Sequence, residues 1–219
     1  HFASAGEDQI TKIWEAETGE LQHSLKGHRN EVTAVRFVSD SRLVTASNDF
    51  TARIWDVATG AELRQLPHQG EVTDVAVSPD GSCLATASRD RTAMLWDAKT
   101  GRPRGRSLMH TQGVRNVRFS PDGKRLLTTD FRSLRLWDVD RGTPLTAQLP
   151  QFLTGGTGFN SSTNGPSFSS DGMKVLQGMD CDVALMWEVP VPPPDIPAWF
   201  PEFLEAVAGE RFSAGADLP

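Results

Sequence analysis

The chain has 219 residues, of which 38% are hydrophobic and 23% charged, and its formal net charge is −6. This composition is typical of a globular domain; no apolar run reaches the ~18 residues that span a bilayer, and no secretory signal pattern opens the chain. Residues 188–219 carry six acids and one base, which leaves 22 acids and 21 bases elsewhere, without the basic excess that phosphate-backbone binding requires. We therefore expect neither nucleic acid nor a membrane as a partner.

Tryptophan recurs along the chain at a fixed interval. Trp14, Trp55, Trp96 and Trp137 lie 41 residues apart, and Trp187 follows after 50. Each closes a short apolar segment, and an aspartate or glutamate follows it directly. A period near 40 with this dipeptide is typical of β-propeller blades. The predicted fold is therefore all-β, a β-propeller of four-stranded antiparallel blades.

The second repeat shows the strand pattern most clearly. Alternating apolar residues predict strands over 32–38, 42–47 and 51–57, and a fourth over 61–66. The first repeat begins midway through this pattern and the fifth lacks an obvious fourth strand, so the sequence predicts three complete blades and two partial ones. In-phase turn motifs separate first and second strands: SPDG at 78–81 and 120–123, and SSDG at 169–172.

With these motifs, the chain from Ala3 to Val189 resembles the WD-repeat β-propeller family. In that family a buried, hydrogen-bonded tetrad of His, Ser or Thr, Asp and Trp holds a blade together. The resemblance implies a complete tetrad in the second and third repeats. Its members are His28, Ser47, Asp49 and Trp55, and then His68, Ser88, Asp90 and Trp96.

The other repeats depart from the tetrad pattern. In the first, Asp8 and Trp14 match, but Gly6 stands at the serine position. In the fourth, Phe131 occupies the aspartate position, and Asp130 comes one place early, with His110 and Thr129 as the histidine and hydroxyl candidates. Cys181 occupies that position in the fifth. We expect weaker turns in the last two repeats.

Serine, histidine and aspartate together also resemble a hydrolase triad, but here they recur once per repeat and no GxSxG motif is present. The histidines lack HExxH spacing, and Cys83 and Cys181 lack CxxC spacing. Asp180 and Asp182 beside Cys181 offer a cation site in principle, although slipped structural register explains them better. The sequence therefore predicts no catalytic residue, no metal site and no cofactor.

The family resemblance also implies a ring of residues around the central pore, on the face that commonly holds peptides. These are the residues that open each first strand and the one before each tetrad aspartate: Glu31, Thr33, Asn48, Glu71, Thr73, Arg89, Arg115 and Asp130. Arg89 and Arg115 suit a carboxylate or phosphate, and glutamates suit a basic side chain. The ring either binds a charged peptide or is merely solvated.

The end of the chain has a different composition. We place a domain boundary between 1–189 and 190–219, where a proline-rich segment (190–197) precedes a short predicted amphipathic helix beginning near Pro201. That helix either caps the last blade or docks on another protein. An insertion at 151–166, rich in Gly, Ser, Thr and Asn, is predicted to be a loop, with or without a binding role.

The predicted function is a non-catalytic, cytoplasmic scaffold that binds a protein or peptide on the loop face. A first alternative makes the chain a structural part of a larger bacterial signalling protein, such as a kinase-linked WD-repeat protein, whose contacts are self-association or missing blades. A seven-bladed ring needs roughly 290 residues, about two blades more than this chain, so we expect the chain to be the C-terminal part of such a ring or to be completed by partner chains. The second alternative is a small-molecule enzyme at the propeller pore.

Overall fold

The computed structural model describes residues 1–130, 133–146, 149–150, 165–179 and 183–189. These residues form short strands, which are, in chain order, β1 (Phe2–Ser4), β2 (Thr11–Trp14), β3 (Leu21–Leu25), β4 (Val32–Ser39), β5 (Arg42–Ser47), β6 (Thr51–Asp56), β7 (Glu62–Pro67), β8 (Val72–Val77), β9 (Cys83–Ser88), β10 (Thr92–Asp97), β11 (Leu108–Met109), β12 (Asn116–Phe119), β13 (Arg125–Thr129), β14 (Ser133–Asp138), β15 (Leu149–Pro150), β16 (Ser167–Phe168), β17 (Lys174–Met179) and β18 (Val183–Glu188).

The strands form five antiparallel sheets that follow one another along the chain. Strands β4–β7, β8–β11 and β12–β15 each form a four-stranded sheet, and β1–β3 and β16–β18 each form a three-stranded one. Neighbours in sequence are neighbours in each sheet, as expected for strands joined by short turns. The all-β prediction and its three complete blades are confirmed. We number the blades one to five in this order.

The first strands of successive blades lie side by side. Strand β8 contacts both β4 and β12, and β12 contacts β16. The Thr33 hydroxyl donates to the Val72 carbonyl of the next blade at 2.7 Å, and Thr73 donates to Val114 at 2.8 Å. We call β4, β8, β12 and β16 the inner strands.

Hydrophobic cores fill the space between neighbouring blades. Between the second and third blades, Val44 and Ile54 from one sheet pack with Val75, Leu84 and Trp96 from the other. Similar clusters lie between the first and second, third and fourth, and fourth and fifth blades. The second, third and fourth blades therefore each pack against two neighbours, and the first and fifth each pack against one, as expected when a repeat contacts only its neighbours.

The predicted SPDG and SSDG turns are confirmed. Gly81, Gly123 and Gly172 have φ values of 70°, 70° and 69°, in the left-handed region that glycine adopts without steric cost. In the first of these turns the Ser78 hydroxyl and the Ser82 amide donate to Asp80 and lower its pKa to about 2. These turns mark one end of the inner strands, which we call the lower end; the opposite end is the upper end.

No helix in the described part of the chain is long and apolar enough to cross a membrane. The predicted C-terminal helix and proline-rich segment lie outside the described residues, as do 151–164 of the predicted loop. The domain boundary after Val189 therefore stays a prediction.

Candidate functional site

A buried hydrogen-bond network spans the second blade. His28 Nδ1 lies 2.8 Å from Asp49 Oδ2, and His28 Nε2 lies 2.7 Å from the Thr45 hydroxyl. The same hydroxyl accepts a hydrogen bond from Trp55 Nε1 at 2.9 Å. The network therefore joins the loop before β4 to strands β5 and β6 and to the turn between them.

The donors and acceptors of this network match a neutral histidine. The Asp49 carboxylate only accepts, so His28 Nδ1 carries a proton. His28 Nε2 then accepts the Thr45 hydroxyl proton, while the Thr45 oxygen accepts from Trp55. Burial lowers the pKa of His28 by more than Asp49 raises it, which favours the neutral form.

The carboxylate of Asp49 stays ionised at low pH. Burial raises its pKa, but hydrogen bonds from the Thr51 hydroxyl, from His28 and from the Arg29 amide lower the pKa by more than burial raises it, to about 2. Arg53 also pairs with Asp49, at 3.1 Å, and with Glu62, at 2.7 Å. The carboxylate is therefore bound on several sides within the blade.

The structure corrects one member of each predicted tetrad. Ser47 bonds neither His28 nor Trp55; its hydroxyl donates to the Asn30 carbonyl at 3.1 Å and accepts from the Asp49 amide at 3.1 Å. Thr45, two residues earlier on the same face of β5, supplies the bridging hydroxyl. The predicted Ser47 is therefore wrong for that role, and it orders the turn instead.

The third blade repeats this arrangement. His68 Nδ1 lies 3.1 Å from Asp90 Oδ2, and the Thr86 hydroxyl lies 2.7 Å from His68 Nε2 and 2.8 Å from Trp96 Nε1. The predicted Ser88 is corrected in the same way, because its hydroxyl donates to the Gly70 carbonyl and accepts from the Asp90 amide. Burial also lowers the pKa of His68.

Glycine is required where the loop before β8 crosses this turn. A Cβ on Gly70 would lie 2.9 Å from the backbone nitrogen of Asp90, closer than packed atoms approach. The loop therefore lies directly against the turn, which brings its carbonyl to the Ser88 hydroxyl.

The fourth blade contains a complete network, contrary to the sequence prediction, and its bridging hydroxyl belongs to Thr128 and not to the predicted Thr129. His110 Nδ1 lies 3.2 Å from Asp130 Oδ2, and the Thr128 hydroxyl lies 2.8 Å from His110 Nε2 and 2.7 Å from Trp137 Nε1. Asp130 was predicted for the pore ring, but its side chain is fully buried. It therefore belongs to the network and not to the ring. Phe131 lies outside the described residues.

The first blade retains the tryptophan bond. Trp14 Nε1 donates to the Ser4 hydroxyl at 2.9 Å, so the hydroxyl position belongs to Ser4 and the expectation based on Gly6 is wrong. Asp8 accepts a hydrogen bond from the Ile10 amide at 3.2 Å. In the fifth blade, Asp180, Cys181 and Asp182 lie outside the described residues.

The networks have the wrong accessibility for catalysis. The bridging threonines, Thr45, Thr86 and Thr128, are each 0% exposed, and each hydroxyl is already bonded to a histidine and a tryptophan. A substrate cannot reach these oxygens without opening the blade. The arrangement instead satisfies buried polar groups, whose desolvation is costly when they are left unpaired.

Most predicted ring residues lie at the upper end of the inner strands. In the second blade, Asn48 Nδ2 donates to Glu31 Oε2 at 3.2 Å, and the Asn48 amide donates to the Glu31 carbonyl at 3.0 Å. In the third blade, Arg89 Nε lies 2.9 Å from Glu71 Oε2. The structure thus brings each glutamate together with the residue that precedes the tetrad aspartate. We call Glu31, Asn48, Glu71, Arg89 and Arg115 the upper rim.

The remaining predicted ring residues are used within the fold. The hydroxyls of Thr33 and Thr73 donate to carbonyls of the next inner strand, so they link blades. At the equivalent position of the fourth blade, the Arg115 amide donates to the Thr129 carbonyl at 2.7 Å.

The sequence prediction missed a concave region at the lower end of the inner strands. It has a volume of about 360 Å³ and extends across four blades. We call it the lower concavity; its lining includes Arg36, Phe37, Ala76, Val77, Pro79, Arg118, Phe119, Ser120, Pro121, Ser167 and Phe168. An available signal was the pair of arginines at equivalent places in β4 and β12, two periods apart.

Within the described residues, no group of three or more His, Cys, Asp or Glu side chains is arranged to hold a metal ion.

Comparison with known proteins identifies the repeats. Three segments, residues 19–56, 60–97 and 103–138, match the family described as WD domain, G-beta repeat. Together they cover more than half of the chain. Each segment contains the outer strand of one blade and the first three strands of the next. One sequence repeat therefore contributes strands to two neighbouring blades.

One similar protein is the DENN domain and WD repeat-containing protein SCD1 of Arabidopsis thaliana. It is 39% identical over 49 residues, which are 22% of this chain and 4% of that protein. The chain thus matches a small part of a much longer relative.

Proposed function

Because the chain belongs to the WD domain, G-beta repeat family, we propose that it is a non-catalytic scaffold that binds a protein or peptide through the upper rim. WD-repeat domains generally mediate protein–protein interactions and are typically not enzymes. Fold alone does not decide function, so the proposal depends on the rim itself.

The observation that carries the proposal is the pairing of charged and polar side chains at the rim. Glu71 and Arg89 form an exposed ion pair, and Glu31 is held by Asn48. Their backbones are joined to each other and to rigid blades. Side chains held in place lose less entropy on binding, and charges of both signs suit a peptide that carries complementary charges.

The rim is supported from below by the tetrads. Asn48 and Arg89 directly precede Asp49 and Asp90, the aspartates that bond His28 and His68. The tetrads therefore serve as supports for binding residues in this proposal.

The cytoplasm is the proposed compartment, and neither a cofactor nor a nucleic acid or membrane partner is part of the proposal.

The proposal is tested with an array of synthetic twelve-residue peptides of varied charge, probed with the full chain. We expect a charge-dependent subset to bind, and Arg89→Gln to weaken that subset several-fold because one charged contact is lost. Arg64→Gln is the matched control, since Arg64 lies on the outer strand β7. Equal binding by Arg89→Gln and the parent chain, or no binding at all, would contradict a rim-based scaffold.

A second candidate function is that of one part in a larger protein. The matched relative carries a DENN domain in addition to WD repeats and is covered over 4% of its length. In this alternative the blades serve mainly for assembly within a longer chain or between copies. The mass of the purified chain in solution separates the two, because a stable monomer that binds peptides does not need such assembly.

A further inference from the structure

We propose that the lower concavity is a second binding site, which takes an acidic side chain flanked by apolar residues from a segment of a partner protein. It is separate from the upper rim, because Arg36 and Phe37 lie near the end of β4 whereas Glu31 precedes its beginning. The inference goes beyond the proposed function, since it adds a site at the opposite end of the inner strands.

The charge of the lower concavity comes from two guanidinium groups that share one carboxylate. The Asp74 carboxylate on β8 accepts hydrogen bonds from the Val75 amide, from the Val117 amide at 3.2 Å and from Arg118. The Asp74 side chain is almost completely buried. Backbone amides and Arg118 therefore take up most of the hydrogen bonds that the Asp74 carboxylate can accept.

Arg36 interacts more weakly than Arg118 with the Asp74 carboxylate. Its Nη2 lies 3.9 Å from Asp74 Oδ1, beyond hydrogen-bond distance, and its Nη1 donates to the Val35 carbonyl at 2.8 Å. The Arg36 side chain is 45% exposed. A guanidinium carries five N–H donors and favours bidentate contact with a carboxylate. Arg36 is therefore the group that an incoming acidic side chain pairs with.

The rest of the lining selects the neighbours of that acidic residue. Phe37, Val77, Phe119 and Phe168 present half-buried apolar surface around the arginines. The described residues that line the lower concavity include no carboxylate. A bare inorganic anion would leave the apolar surface in water, whereas a peptide with an acid between aromatic or aliphatic residues covers both.

The test uses a fluorescent synthetic peptide, Gly-Asp-Phe-Glu-Leu-Phe-Asp-Gly, and its matched neutral form with Asn and Gln. Anisotropy is measured with the full chain. We expect the acidic peptide to bind and the neutral form to bind at least roughly tenfold more weakly, because a charge-assisted pair is lost. Arg36→Gln should weaken the acidic peptide by a similar factor, and Arg36→Lys by less.

Two variants keep the result interpretable. Arg118→Gln removes a partner of the buried Asp74 and is expected to harm folding, so Arg36→Gln is the principal variant. Arg64→Gln changes an arginine on the outer strand β7 and should leave this peptide's affinity unchanged, whereas Arg89→Gln tests whether the peptide binds at the upper rim instead. Loss of binding in Arg89→Gln but not in Arg36→Gln would place the peptide at the rim, which supports the proposed function and overturns this inference.

Three further outcomes would also overturn it. Equal affinity for the acidic and neutral peptides would show that charge is not read. The absence of measurable binding would show that the lower concavity takes no such segment. Binding that emerges only when Glu202 and Glu205 are changed to Gln would identify the chain's own acidic residues, and not a partner, as the occupant.

Discussion

The second and fourth blades form the same buried network through different turns. In the second, Asp49 follows Thr45 by four residues and precedes Trp55 by six; in the fourth, Asp130 follows Thr128 by two and precedes Trp137 by seven. Yet both aspartates reach a histidine, at 2.8 and 3.2 Å. The network therefore requires that its buried donors and acceptors all find partners, and it does not require a fixed spacing along the chain.

The surroundings of the two networks also differ. In the second blade Arg53 pairs with Asp49 and Glu62. In the fourth, Arg135 lies over the Trp137 ring at 5.1 Å and donates to the Met109 carbonyl. The arginine at the same place in the third strand therefore contacts the carboxylate in one blade and the aromatic ring in the other.

The largest expected effect tests whether the two networks are equivalent. Thr45→Val and Thr128→Val each remove the hydroxyl that bonds a histidine and a tryptophan. Each should lower the free energy of unfolding by about 2–4 kcal/mol, because two buried polar groups lose a partner. Urea denaturation of the purified variants measures both values.

Ser47→Ala is the matched control for Thr45→Val. Its hydroxyl bonds only turn backbone, so we expect a loss of about 1 kcal/mol. If Ser47→Ala cost more than Thr45→Val, the assignment of the bridging hydroxyl would be wrong. A negligible effect of Thr128→Val would show that the fourth blade is weaker, as its spacing suggested.

Acid should break the second blade's network in two stages. The pKa of His28 is lower in the folded chain than its ordinary value of 6.5, so the unfolded chain binds more protons as pH falls below about 6.5. Stability contributed by the neutral histidine is therefore present above that pH and lost below it, with a slope of at most about 1.4 kcal/mol per pH unit.

The second stage involves the carboxylate. With its pKa lowered to about 2, Asp49 contributes stability above its unfolded pKa that is lost as pH falls from about 4 to 2. Urea midpoints between pH 8 and pH 3 measure both stages, with His28→Gln as the comparison. An unchanged dependence between pH 7 and 5 in His28→Gln would contradict the role of this histidine.

The smallest expected effect concerns the arginine that distinguishes the blades. Arg53→Met introduces the residue type that the third blade has at this place, Met94, and leaves Asp49 bonded to His28 and Thr51. We expect a loss of about 1 kcal/mol, since Asp49 keeps its hydrogen bonds from His28, Thr51 and the Arg29 amide, and Glu62 is partly exposed to water. Thermal unfolding of Arg53→Met measures this loss, with Arg64→Gln as the control variant. A loss as large as that of Thr45→Val would assign Arg53 to the network itself.

The blade pattern was predictable because it depends on local features. Alternation in 42–47 predicted β5, and the SPDG motif at 78–81 predicted a turn with Gly81 at positive φ. Both features need only residues within a few positions of each other. The histidine, aspartate and tryptophan of the second and third networks followed from the resemblance.

The bridging hydroxyl was not predictable from the same pattern. Thr45 and Ser47 lie two residues apart on one face of β5, so alternation does not distinguish them. In the fourth blade the altered spacing left Asp130 outside the predicted tetrad, and only its contact with His110 in three dimensions assigns it to the network. The pairing of Glu71 with Arg89 and the lower concavity likewise depend on contacts between strands far apart in sequence.

The fold class, the blade boundaries, the turns and the family were all predictable from the sequence, because strand alternation, turn chemistry and a 41-residue period are local or repeated properties. Three features required the folded structure: the hydroxyl that completes each network, the burial of Asp130, and the position of Arg36 and Arg118 on either side of one carboxylate. Those outcomes depend on how strands pack within and between blades, since packing selects among side chains that are equivalent along the chain.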